Sequence, residues 1–172
     1  MTLVVEDGTG LAAAEVFGSL NDVTNFQIGR SDYDTWIGAS IDQQEAAARE
    51  ATDYLEGTYT WRGTVRTTTQ GLSWPRTNVV DDEGRSIASD SVPRAVVHAF
   101  AFLSGKAIAR NLEPEHAGAP IQSLSVGPSG VSKSFGSVGN TPKRDWPELR
   151  TLLRGLYTDA AGSNSGHLVR WS

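Results

Sequence analysis

One apolar helix constrains what this chain can fold into. Between Val92 and Arg110, the residues Val96, Phe100, Leu103 and Ala107 recur in steps of 4, 3 and 4, and Ala99 joins the same stripe. That spacing puts the apolar side chains on one face of an α-helix, a face that other elements must cover. Val92-Pro93 opens the segment, with proline at or near the first helical position, where its missing N–H is no loss. Lys106 and Arg110 fall in the last turns, where cations complement the helix dipole, and Pro114 shuts the helix off.

The flanking segments supply the cover. Ser19, with Asp22 three residues later, predicts a capped helix running to about Ile28 and ended by Gly29, with Val23 and Phe26 on its buried face. Asp32–Gly38 reads as a connector in which Tyr33 and Trp36 plug the core. Ser40 and Gln43 form a capping box, and Ile41, Ala48, Ala51 and Leu55 then recur at helical spacing until Gly57 stops the helix. Thr58–Arg76, rich in Thr, Trp and Gly, reads as irregular or short-helical and is anchored by Tyr59, Trp61 and Trp74. Ile121–Val126 and Val131–Phe135 flank Gly-Pro-Ser-Gly and predict a β-hairpin. Asp145 is placed to cap a last helix carrying Trp146, Leu149, Leu152, Leu153 and Leu156. The expected fold is mainly α: a small bundle of about four helices with one projecting β-hairpin and an extended C-terminal arm. One domain over 1–157 includes the hairpin at 121–135, and 158–172, with its Gly/Ser/Asn stretch, is expected to be a flexible arm.

Composition narrows the function. No apolar run approaches the roughly 20 residues of a membrane span, and the N-terminus has no basic stretch of the kind a secretory signal needs. The absence of cysteine excludes disulfides, thiolate metal sites and cysteine nucleophiles, and fits a protein assembled in a reducing cytoplasm. The net charge of −5 is unevenly divided. Residues 1–92 hold 15 Asp/Glu against 6 Lys/Arg, whereas residues 93–172 hold 5 against 9. Such halves can meet within or across subunits. The overall balance argues against a dedicated duplex-DNA binder, which would be basic.

Motifs for chemistry are sparse. Gly127-Pro-Ser-Gly130-Val-Ser132-Lys133-Ser134 lies one residue from a phosphate-binding loop, but Ser132 stands where the second glycine is needed and no helix follows. A hairpin tip explains the same residues. His98, His116 and His167 fall on a helix, in a loop and in a tail, without metal-ligand spacing. Asp81-Asp82-Glu83-Gly84 reads as a solvated acidic turn, since it lacks the alternating oxygen ligands of a calcium loop. No nucleophile elbow is present. Neither an enzyme nor a cofactor or metal is expected. Tyr59, Trp61, Arg62 and Arg66 could stack and grip a single strand, although tryptophan at this density is more often core.

Several blocks recur together: Thr2–Leu11, Ala51–Leu55, Trp61-Arg62-Gly63, and Gln70-Gly-Leu72-Ser-Trp74-Pro75-Arg76, followed by a loop with Asp-Glu-Gly84 and by Val92-Pro93 opening an Ala-rich helix. Over roughly residues 1–156 the chain resembles the head–tail adaptor, or head-completion, neck proteins of long-tailed bacteriophages, a group also labelled DnaT-like single-stranded-DNA-binding proteins. The resemblance implies a virion neck subunit in a homo-oligomeric ring of twelve copies. That ring would join the portal protein to a stopper or tail-completion protein and surround a channel through which DNA passes without specific recognition. It assigns a structural part to Trp61, Arg62, Gly63, Gln70, Leu72, Trp74, Pro75 and Arg76. In such a ring the hairpin residues Ile121, Leu124, Val126, Val131 and Phe135 are expected at a neighbouring subunit or the portal, because an isolated hairpin is marginal in water. His167, Leu168, Val169, Arg170 and Trp171 are expected to dock on the portal by strand addition, with Leu168 and Trp171 as anchors. The alternative is a single-stranded-DNA-binding protein, which predicts a basic groove, exposed aromatics and salt-dependent affinity.

Overall fold

The computed structural model describes residues 3–110, 112, 123–126, 131–134 and 146–158, the hairpin strands by their backbone alone. It is mainly helical. α1 (Leu20–Gln27) and α3 (Ile41–Thr58) both start from the capping boxes that the sequence predicts: Ser19 with Asp22, and Ser40 with Gln43. α4 (Arg94–Ala109) begins after Pro93, which occupies the cap position rather than the first turn. α5 (Pro147–Leu152) follows Trp146 and is shorter than its apolar residues suggest, because Gly155 takes a positive φ and the chain turns. Asp145, the expected cap, lies outside the described residues.

α4 is the central element. Val96, Ala99, Phe100 and Leu103 are fully buried against α3 and α1, with α2 and α5 packed on the remaining sides. α3 contributes Ala47, Ala48, Ala51, Tyr54 and Leu55 to the same core. Ile41, expected on that face, is instead 62% exposed. The buried stripe starts one turn later, at Gln44, whose amide donates to the Trp36 carbonyl at 2.8 Å. Gly57 does not stop α3, which runs on to Thr58 and is closed by Tyr59.

Two further differences have local causes. The connector after α1 contains a fifth helix, α2 (Tyr33–Gly38), which carries Trp36 into the core, where its indole N–H donates to Thr24 Oγ1. Lys106 of α4 pairs with Asp32 at 2.6 Å and fixes the start of that helix. The 58–76 segment is neither irregular throughout nor helical. It forms β1 (Thr60–Trp61) and β2 (Thr64–Val65). β2 pairs with β3 (Arg76–Thr77), and the predicted hairpin follows as β4 (Ser123–Val126) and β5 (Val131–Ser134), antiparallel in the register Ser123↔Ser134 to Val126↔Val131. β1 pairs with β6 (Tyr157–Thr158), so the C-terminal end of the described chain returns to α3's exit. Residues 121, 122, 127–130, 135–145 and 159–172 lie outside the described residues, and with them Ile121, Phe135 and the expected arm.

Candidate nucleic-acid interface

The residues singled out by the sequence blocks come together between α3 and β3, where they build a loop. Arg76 donates through Nε to the Arg62 carbonyl at 2.7 Å, through Nη1 to Ser73 at 3.0 Å and through Nη2 to Gly63 at 2.8 Å. Burial lowers its pKa from the ordinary arginine value, and Glu56 opposes that shift. Gln70 accepts from the Thr67 N–H and donates to the carbonyls of Leu72 and Pro75. Glu56 of α3 accepts from both the N–H and the hydroxyl of Ser73. Gly63 sits at φ +73°, and a Cβ there would run into the Thr77 carbonyl. Trp61 and Trp74 lie beneath, edge to face with ring centroids 5.8 Å apart, and are 6% and 0% exposed. They cannot stack on a nucleic-acid base in this arrangement. Leu72 and Pro75 are buried with them.

What the loop presents outward is Arg62. The antiparallel pairing of β1 with β6 sets it beside the α5 exit, where Arg62, Arg150, Arg154, Gly155 and Tyr157 surround a surface cleft of about 400 Å³. The Arg62 N–H donates to the Leu156 carbonyl at 2.9 Å and holds the two segments in register. Asp82 enters from the acidic turn and pairs with Arg154 at 2.5 Å. Tyr157 stands edge-on to Tyr59 at 4.9 Å, which braces its ring at the cleft. Three guanidinium groups and one carboxylate line the cleft, and that carboxylate is paired with Arg154. Planar cations beside a braced phenol can hold phosphate oxygens and offer a face to a base.

Residues 1–171 match the model of a family described as putative DnaT-like ssDNA binding protein. The chain belongs to that family. No curated protein and no solved structure matches it. The match carries the single-strand label of the group that the sequence resembles, and it does not carry the neck label.

In this member of the family, the sequence reasoning that joined Tyr59, Trp61, Arg62 and Arg66 as one surface holds only for part of the set. Trp61 turns inward, and Arg66 spends Nη1 on the Gly8 carbonyl at 2.5 Å. Arg150 and Arg154 had no sequence signal, since they reach Arg62 only through the β1–β6 pairing. The acidic turn is held by Asp81, which accepts from the N–H groups of Glu83 and Arg85 and pairs with the Arg85 side chain at 2.8 Å. Among the described residues no cluster of His, Asp and Glu could hold a metal ion. No helix among the described residues is long and apolar enough to cross a membrane. His116, His167, Leu168, Val169, Arg170 and Trp171 lie outside the described residues, whereas Leu124, Val126 and Val131 are placed in β4 and β5.

His98 is the one described histidine. Burial lowers its pKa from the ordinary 6.5, and Arg94 on α4 and Arg30 after α1 push the same way. Phe26 is the aromatic neighbour from α1, and Asp22 is the carboxylate in the surrounding wall. A depressed histidine pKa means the unfolded chain takes up its proton first, so this contribution is complete above about pH 6.5, begins to go below it and is lost as pH falls through the lower folded-state pKa. Melting temperature is therefore expected to fall between about pH 7 and pH 5. His98→Gln should flatten the slope, and an unchanged slope would remove His98 as its cause.

Proposed function

We propose that the chain binds single-stranded DNA, with the Arg62–Arg150–Arg154–Tyr157 cleft as the contact that grips its backbone. The observation that carries this reading is the convergence of three arginines and a braced tyrosine in one cleft of an otherwise acidic chain. The family's own description supports it. Phosphate contacts release condensed counterions, at about −0.7 in log–log salt slope per contact on a single strand. Three contacts give a slope of about −2. Fluorescence anisotropy with a labelled oligothymidylate tests this. Arg62→Gln with Arg154→Gln should make the slope shallower by a unit or more, about 0.7 for each lost contact. Asp82→Asn should strengthen binding, because it removes the carboxylate that competes for Arg154. Absence of binding at low salt, or a slope indifferent to these changes, would end the proposal.

A second reading is favoured by the hairpin. β4 and β5 pair with no other strand among the described residues, and a lone two-stranded ribbon gains stability by packing on a partner. In that reading the chain is a virion neck subunit whose ring contacts the portal, a stopper or tail-completion protein and further copies of itself, with the acidic half facing the DNA channel. Electron microscopy of the purified protein, with and without a portal ring, separates the two. Closed rings on the portal support the neck subunit, and monomers that bind oligonucleotide in a salt-dependent way support the first reading.

A further inference from the structure

A second cleft, of about 580 Å³, opens between the end of α1 and the start of α4. Its walls carry Asn25, Phe26, Ile28 and Arg30 on one side and Arg94, Val97 and His98 on the other, with Val92 between them. Arg30 donates through Nε to the Phe26 carbonyl at 2.7 Å, which parks its guanidinium 4.0 Å above the centre of the Phe26 ring. The same ring faces His98 at 5.1 Å. Arg94 donates through Nε to His98 Nε2 at 3.1 Å. That bond requires an imidazole neutral at Nε2, with its proton on Nδ1 as a further donor.

The balance of charge here is unusual. Among the described residues neither Arg30 nor Arg94 has a carboxylate partner. Asp22, the acid in the wall, is committed through Oδ2 to the N–H and hydroxyl of Ser19. Arg94 also occupies the first position of a 16-residue helix, where the dipole disfavours a cation and no side chain caps the turn. Two guanidinium groups without a carboxylate partner, a histidine accepting from one of them and a cation at a helix N-terminus oppose one another. An anion in the cleft relieves all three. The remaining walls are apolar, Phe26, Val92, Val97 and the 60% exposed Ile28, and Asn25 adds an amide. A bare small anion would leave those surfaces unused, whereas an anion carrying a flat, partly apolar body would cover them.

We infer that the α1–α4 cleft is a phosphate site, in which Arg30, Arg94 and the Nδ1–H of His98 hold the phosphate of a nucleotide. The inference is independent of the Arg62 cleft, which is lined by none of the same residues. A phosphate could be presented by a free mononucleotide or by a DNA strand, and the probes separate the two. Imidazole-labelled protein is titrated with inorganic phosphate, thymidine, thymidine 5′-monophosphate and an oligothymidylate, and the His98 ring resonances are followed by NMR. His98→Gln assigns them among the three histidines. The expected result is a saturable shift with thymidine monophosphate and none with thymidine. Affinity should fall about tenfold in Arg30→Gln and in Arg94→Gln, the loss of one charge-assisted contact each. Both arginines are exposed, so circular dichroism should show the variants folded. A shift with the monophosphate assigns free nucleotides as ligands, and one confined to the oligothymidylate assigns a strand. Arg62→Gln should leave the response intact even if it abolishes strand binding at the other cleft. His98 resonances that ignore every probe, or that titrate with wild-type affinity in both arginine variants, would overturn the assignment.

Discussion

Trp74→Ala is expected to lower unfolding free energy by about 3–5 kcal/mol, among the largest single effects in the molecule. Trp74 has no solvent exposure and stands edge to face with Trp61 at 76°. Its indole N–H finds no acceptor among the described residues, as is also true of Trp61. Truncation therefore breaks no hydrogen bond, and the whole cost is lost contact plus the cavity left behind. The cavity cannot collapse easily, because the backbone above it is pinned: Arg76 holds four carbonyls and Gln70 two. Trp74→Phe should cost less, since it keeps an aromatic ring against Trp61 and removes the unpaired donor. Trp61→Ala should also destabilise, and the double variant should lose less than the two single losses together, because each ring is the other's neighbour. Urea denaturation followed by circular dichroism measures all four. A wild-type midpoint for Trp74→Ala would show that the loop stands without its anchor.

The contrast between α4 and the small sheets shows what could be read from the chain. Val96, Phe100 and Leu103 were legible because helical periodicity is local, and the boxes at Ser19 and Ser40 were legible because each is closed within four residues. β1 and β6 were not. They are two residues long, so they carry no alternation, and the pair Thr60↔Thr158 joins segments far apart in the sequence. Gln27 gave no signal either. It is buried, and its amide reaches across to the Ala101 carbonyl of α4 at 2.9 Å, a bond that depends on how two helices pack. The same logic governs the candidate site. Arg62 lies in a recognisable block, but what makes it one wall of the cleft is the arrival of Arg150 on α5 and Arg154 in the turn after it, some 90 residues further along the chain. The block residues themselves proved to be the scaffold of that wall: the two tryptophans beneath, and Gln70 and Arg76 tying the turns.

Glu6→Ala is the second large effect expected, on the order of 3 kcal/mol for loss of three charge-assisted hydrogen bonds to buried and part-buried donors. Glu6 is only 4% exposed, and its carboxylate is wrapped by its own chain. Oε1 accepts from the N–H groups of Gly8 and Gly10, and Oε2 from that of Leu11, each at 2.9 Å. The loop needs that carboxylate because Gly8, at φ +95°, turns its backbone against Asp90 and Ser91 with no space for a side chain. Few other bonds hold the turn in place. The Gly8 carbonyl accepts from Arg66, and the Leu11 carbonyl from the Gly71 N–H at 2.9 Å, so the same loop closes over the Gln70–Arg76 scaffold. Alanine at position 6 would leave three donors facing a void, while glutamine would keep one oxygen and present an amide N–H to a donor. Glu6→Gln should therefore destabilise too, by less than alanine. Hydrogen exchange at Gly8, Gly10 and Leu11 gives a direct readout. Those three amides should lose protection in both variants before the α3 and α4 amides do, since the loop opens locally before the core. If their exchange stays at the wild-type rate, Glu6 does not organise the loop, and the stability loss must come from its burial alone.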